Sequence, residues 1–119
     1  MSENKCLFCK IANGEIQADI VFQNDKIVAF RDIRPIAPVH ILIIPKEHIS
    51  SMNDITEERT DLLGEMLYLA TKIAKDLEIA EKGYKLLVRT GRHGGQEVDH
   101  IHIHLLGGAQ LAEGIHPIE

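Results

Sequence analysis

The chain has 119 residues, 45% of them hydrophobic and 26% charged, which is the balance of one ordinary globular domain able to bury a core without disulfide staples. Three Phe, two Tyr and no Trp leave no platform for stacking single-stranded bases. A net charge of −5 excludes a general polyanion-binding face, so any phosphate contact must be local.

Residues 1–5 are polar and carry no apolar signal core, and no apolar run is long enough to span a bilayer. The expected setting is cytoplasmic, with neither membrane nor nucleic acid as partner. Cys6 and Cys9 follow as C-x-x-C, which in a reducing compartment reads as half of a metal site or as a redox pair. Leu7, Phe8, Ile11 and Ala12 fit one face of a short helix stopped by Asn13 and Gly14. Ile20 to Gln23 and Lys26 to Arg31 flank Asn24 and Asp25 and predict a hairpin, after which Pro35 and Pro38 interrupt regular structure. Val39 to Ile44, rich in β-branched residues and ended by Pro45, predicts a buried central strand.

Between Thr56 and Leu77, apolar residues recur at Leu62, Leu63, Met66, Leu67, Ala70, Ile73, Ala74 and Leu77, the stripe of one long helix with Glu57 and Glu58 in its first turn. Gly83 then releases the chain into a strand from Tyr84 to Thr90, followed by a loop from Gly91 to Gln96. The expected fold is α+β: a largely antiparallel five-stranded sheet with one long and one short helix. It forms a single domain, with residues 1–5 and 110–119 as tails.

The chemistry lies in residues 100–105, where His100, His102 and His104 alternate with Ile101, Ile103 and Leu105. A period of two is a strand signal that sets three imidazoles on one face and anchors the other in the core. Imidazole is a poor strand former but suits nucleophilic, acid–base and metal chemistry near neutrality. The preceding Gly94 and Gly95 permit backbone conformations that aim successive N–H groups at one point, a nest for an oxyanion. His40, His93 and His116 have no such pattern and read as ordinary core or surface residues.

The run from Gly94 through Gln96, His100, His102 and His104 to Gly107 and Gly108 resembles the histidine triad family, whose signature is His-φ-His-φ-His-φ-φ with φ apolar. Phe30, Arg31, Asp32, Ile33, then Pro38, Val39, His40, then Ile44 to Ile49, resemble its upstream half in the Hint branch of nucleotide phosphoramidases. The resemblance covers about residues 6–108. It implies that the middle histidine, His102, attacks the phosphorus of a purine nucleoside 5′-phosphoramidate, giving a nucleotidyl-histidine that water hydrolyses. His104 and His100 would complete the catalytic set, His104 by contacting the phosphate and moving protons. The purine would meet Leu7, Phe8, Ile11, Phe30 and Ile33, though periodicity alone reads these as plain core. Asp32 would hold the ribose hydroxyls, and Arg89, Gly95, Gln96, Glu97 and Val98 would surround the phosphate, Glu97 through its backbone N–H. A homodimer formed through edge strands and long helices is also implied. Two alternatives stand beside this reading: cleavage of dinucleoside polyphosphates, and a non-catalytic nucleotide- or zinc-binding module.

Two positions depart from the family pattern. Arg89 stands where an asparagine usually touches the phosphate, and Ala109 where Gly-Gly-Arg often follows the triad, which puts the choice of leaving group in question. The chemistry itself needs no cofactor. For a structural zinc, Cys6 and Cys9 give half of a tetrahedral set, and His48 and His100 are candidates for the rest; bacterial members with the same Cys-x-x-Cys start hold zinc in such a set.

Overall fold

The computed structural model describes residues 6–118; the predicted tail at residues 1–5 lies outside them. A short helix α1, Leu7–Ala12, is followed by strands β1, Ile20–Gln23, β2, Ile27–Arg31, and β3, Val39–Pro45. After two 3-10 turns, Met52–Asp54 and Glu57–Arg59, come the long helix α2, Thr60–Asp76, and strands β4, Tyr84–Leu87, and β5, Ile103–Gly107. The strands form one antiparallel sheet in the order β1-β2-β3-β5-β4.

Period-two alternation divides the side chains of this sheet between two cores. Ile27, Ala29, Ile41, Ile43, Ile103 and Leu105 face α2, which buries Met66, Leu69, Ala70, Ile73 and Ala74 against them. Each large apolar side chain so enclosed contributes roughly 1.5–3 kcal/mol. On the opposite face Val28, Phe30, Leu42 and Ile44 form a smaller cluster with Phe8 and Ile11 of α1. This second face also carries the histidines, since β3–β5 pairing sets Leu42 against His104. No helix among the described residues is long and apolar enough to cross a membrane.

Three boundaries differ from expectation. The predicted helix start at Thr56 is a 3-10 turn, and α2 proper begins at Thr60; Arg59 there gives no side-chain cap and instead pairs with Glu47, Nη2 to Oε2 at 2.7 Å. β4 ends at Leu87 instead of Thr90. Its neighbour among the described residues, β5, begins at Ile103 and not at His100, because the His100 N–H turns to the Val98 carbonyl at 2.9 Å and the Ile101 N–H to Ile49 at 2.7 Å. The inward alternation nevertheless holds, with Ile101, Ile103 and Leu105 all essentially inaccessible. Along the predicted stripe of α2, Leu69 replaces Leu67 in the core, and Leu67 lies 43% exposed. Residues 109–118 have no regular structure but are tied to the β4 edge by the Lys85 Nζ donating to the Ala112 carbonyl at 3.0 Å.

Candidate active site

His102 and His104 stand side by side at the entry to β5, both buried, with ring centroids 4.9 Å apart. The Nδ1–H of His102 donates to the carbonyl of His100 at 2.7 Å. That bond fixes the tautomer and leaves the Nε2 lone pair free. Burial holds His102 below the ordinary imidazole value; the bond to the His100 carbonyl opposes this, and the charge of Arg89 adds to it. An unprotonated imidazole nitrogen at neutral pH is therefore the resting state of this residue.

His40, expected to be an ordinary residue, belongs to the same group. Its Nδ1 accepts from the Ile36 N–H at 3.2 Å, so a neutral ring carries its proton on Nε2, which lies 3.0 Å from His104 Nδ1 and 3.5 Å from Asp32 Oδ2. His40 Nε2–H then donates to His104 Nδ1. The proton of His104 must sit on Nε2, aimed out of the core. Burial first, then the charges of His102, Arg89 and His40, push His104 down to about 3. The local clue to His40 was weak because its partner is distant in sequence, though Pro38-Val39-His40 lies within the block that carries the family resemblance.

Arg89 follows the end of β4 on the histidine side, since Leu87 pairs with His104 and alternate residues share a face. Its Nη1 lies 3.3 Å from His104 Nε2. Asp32 is partly exposed, with Oδ1 accepting from the Arg34 N–H at 2.8 Å. Of the expected purine contacts, Phe8, Ile11 and Phe30 are buried in one cluster, where Phe8 meets Phe30 edge-on at 5.6 Å and His102 at 5.0 Å. Leu7 and Ile33, at 44% and 89% exposure, are the surface-accessible members.

The glycine loop corrects the expected nest. The Gly95 N–H donates to the Arg92 carbonyl and the Gln96 N–H to Gly91, both at 3.1 Å, so neither is directed at a ligand. The Gln96 side chain clasps the loop instead, accepting from the Gly91 N–H and donating to the carbonyls of Ser50 and Val98. The glycines serve this tight turn: a Cβ at Gly94 would stand 2.5 Å from the Thr90 carbonyl oxygen, and Gly95 has φ +78°. Val98 packs against the Phe8 cluster, and Glu97 is exposed.

His100 also departs from expectation, since its ring points away from the other two. Its Nε2–H donates to the Pro45 carbonyl at 2.8 Å, which leaves Nδ1 as a lone pair 3.2 Å from Cys6 Sγ and 3.4 Å from Cys9 Sγ. His48 Nδ1 lies 3.3 Å from Cys9 Sγ, and the four donor atoms all fall within 4.8 Å of one another. Ligands of a tetrahedral zinc are separated by roughly 3.3–3.8 Å, given metal–sulfur bonds near 2.3 Å and metal–nitrogen bonds near 2.0 Å. The set therefore fits a metal in chemistry, and its distances of 3.2, 3.3 and 3.4 Å lie close to that spacing. Each ring has an oxygen against its other nitrogen, Pro45 for His100 and Ser50 Oγ for His48, the usual orientation of histidine ligands.

The arrangement can thus hold a metal on one side of His100 and present a nucleophilic nitrogen, a donor N–H and a guanidinium on the other. Comparison with known proteins shows the family of the chain. The HIT domain model matches residues 13–111. The purine nucleoside phosphoramidase of Escherichia coli is 55% identical over 105 residues, 88% of each chain, and the protein HitA of Neisseria gonorrhoeae is 45% identical over 87% of this chain and 96% of its own. Among solved structures, a HIT family hydrolase from Legionella pneumophila superposes with a TM-score of 0.91 at 51% identity, covering 94% of this chain and 100% of that one. A histidine triad protein from Clostridium difficile gives the same TM-score at 40% identity, with 96% and 99% covered. The chain belongs to the HIT family.

Proposed function

We propose that this protein hydrolyses purine nucleoside 5′-phosphoramidates through a nucleotidyl intermediate on His102. The observation that carries the reading is the tautomer lock on that ring: Nδ1–H bound to the His100 carbonyl, Nε2 unprotonated and beside the His104 N–H and Arg89. The Escherichia coli relative with the phosphoramidase name supports the substrate class. In the first step the Nε2 lone pair of His102 forms the N–P bond. The P–N bond of the substrate breaks, its electron pair leaving on the amine nitrogen, which takes a proton from solvent, while the Nε2–H of His104 donates a hydrogen bond to the phosphoryl oxygen. In the second step water attacks phosphorus, the His102–P bond breaks with its electron pair returning to Nε2, and the water's proton goes to solvent. The products are nucleoside monophosphate and amine. Splitting one displacement into two is the gain of covalent catalysis.

In this reading Asp32 accepts from the ribose hydroxyls, and the purine lies along exposed Ile33 and Leu7 above Phe30. Cys6, Cys9, His48 and His100 would hold a structural zinc, whose coordination four protein ligands complete. The active form would be a cytoplasmic homodimer.

Replacing His102 with alanine tests the mechanism on adenosine 5′-phosphoramidate. Loss of a general acid or base alone costs roughly 10²–10⁴ in rate, so a true nucleophile is expected to cost more than that. Rapidly quenched wild-type reactions should also yield a tryptic peptide bearing nucleoside monophosphate on His102. A variant that keeps rates within the general acid–base range, with no tagged peptide from wild type, would remove the nucleophile.

A further inference from the structure

We propose that Arg89 makes this site selective for leaving groups that carry a negative charge, namely amines bearing a carboxylate or phosphonate close to the scissile P–N bond. The inference rests on the phosphoramidase reading and names its substrate class.

The first support is a donor with nothing to donate to. Since His40 Nε2–H occupies His104 Nδ1, the His104 proton is on Nε2, and Arg89 Nη1, itself only a donor, lies 3.3 Å away. Two N–H donors cannot satisfy each other. Both want an acceptor in the space between and beyond them, and none of the ion pairs among the described residues uses Arg89. The arm passes beside Gly95, where a Cβ would lie 3.5 Å from Arg89 Cδ and 3.7 Å from Nε.

The second support is direction. In the sheet order β1-β2-β3-β5-β4, Asp32 and Phe30 belong to the β2 side of His102 and Arg89 to the β4 side. A nucleoside held on the β2 side puts phosphorus over His102 and sends the remaining substituent, the amine, toward Arg89. The phosphoryl group of a phosphoramidate carries one negative charge, whereas a guanidinium has five donors on a rigid fork. One edge of that fork can serve the phosphoryl oxygen beside His104 Nε2–H. The other reaches the departing group, where a carboxylate would remain ionised as the P–N electron pair and a solvent proton pass to its amine nitrogen. Asp32 and Glu97 both bear on His102 as negative charges, so without Arg89 this rim would repel such a substrate.

The test uses three adenosine 5′-phosphoramidates sharing one P–N bond, formed with glycine, glycinamide and aminomethylphosphonate. Plain adenosine 5′-phosphoramidate serves as reference. For wild type, kcat/KM for the glycine substrate should exceed that for the glycinamide substrate by roughly ten- to a hundred-fold, the worth of one charge-assisted hydrogen bond. Arg89→Asn should bring that ratio to about one whatever its cost on the reference, and Arg89→Lys, which keeps charge without the fork, should retain part of it. A gain for both anionic substrates assigns an anion site in general, and a gain for glycine alone assigns a carboxylate site; either supports the proposal. A wild-type ratio near one, or an equal loss on charged and neutral substrates in Arg89→Asn, would show that Arg89 grips only the phosphoryl group and overturn it. If wild type leaves even the reference intact, the phosphoramidase reading fails together with this one.

Discussion

Four histidines, His40, His100, His102 and His104, are buried in this small domain, and each ring is held by at least one hydrogen bond. Neutral imidazole can be kept inside at modest cost when both nitrogens are bonded, but imidazolium cannot. This makes stability depend on pH with a definite sign. Burial lowers His40 and His104, with Asp32 raising His40 and Arg89 lowering both, and His104 reaches about 3. Above the ordinary imidazole value near 6.5, folded and unfolded chains both hold these rings neutral and the contribution is complete. Below it the unfolded chain binds protons that the folded chain refuses, so stability falls as pH falls from about 6.5 toward the depressed folded values. The urea midpoint should accordingly drop between about pH 7.5 and about pH 5 with little change in slope. A midpoint that holds across this interval would mean the rings charge freely in the folded protein.

Among the elements, α1 is the one that cannot stand alone. Six residues are far below the length at which a helix holds itself in water, and its cap is the Cys6 sulfur accepting from the Cys9 N–H at 3.3 Å. What fastens it is the Phe8 and Ile11 contact with the sheet and the Cys/His cluster linking Cys6 and Cys9 to His48 and His100. Protein purified without chelator should therefore carry close to one zinc per chain. Removing the metal, or Cys9→Ser, should lower Tm by several degrees and speed amide exchange in α1, since a ligand bound only to the folded state stabilises it by mass action. A zinc content near zero in elemental analysis would dismiss the site. The existence and type of the two α-helices and five strands were legible from periodicity and turn residues, whereas the two 3-10 turns were not. The ends of helices and strands were less so: β4 stops at Leu87 because a strand needs a partner, and where β5 begins depends on the Ile49 carbonyl capturing the Ile101 N–H from far along the chain, a contact no local pattern announces. His40 was obscured for the same reason, as its bond to His104 exists only through the β3–β5 register. Leu69 and Leu67 exchange roles because the stripe of α2 is wide enough to meet the sheet in more than one rotation.

At the level of the whole molecule, the sheet formed by the described residues ends in two unpaired edges, β1 and β4, and α2 turns Leu67 and Tyr68, at 43% and 67% exposure, away from its own core. A second copy covering this helix face would account for both residues, in line with the dimer implied by the family resemblance. Sedimentation equilibrium is expected to give twice the chain mass of 13.3 kDa, and Leu67→Glu should shift it toward the single-chain value by burying a charge in the interface. A wild-type mass equal to one chain would rule the pairing out. The position of His100 bears on how such a molecule could change over time. Its ring answers to sulfur, while its peptide oxygen answers to the nucleophile. Any amino acid at that place retains the oxygen, so a descendant could abandon the cysteines and still keep its reacting nitrogen correctly poised. The two inheritances share one residue yet can be lost one at a time.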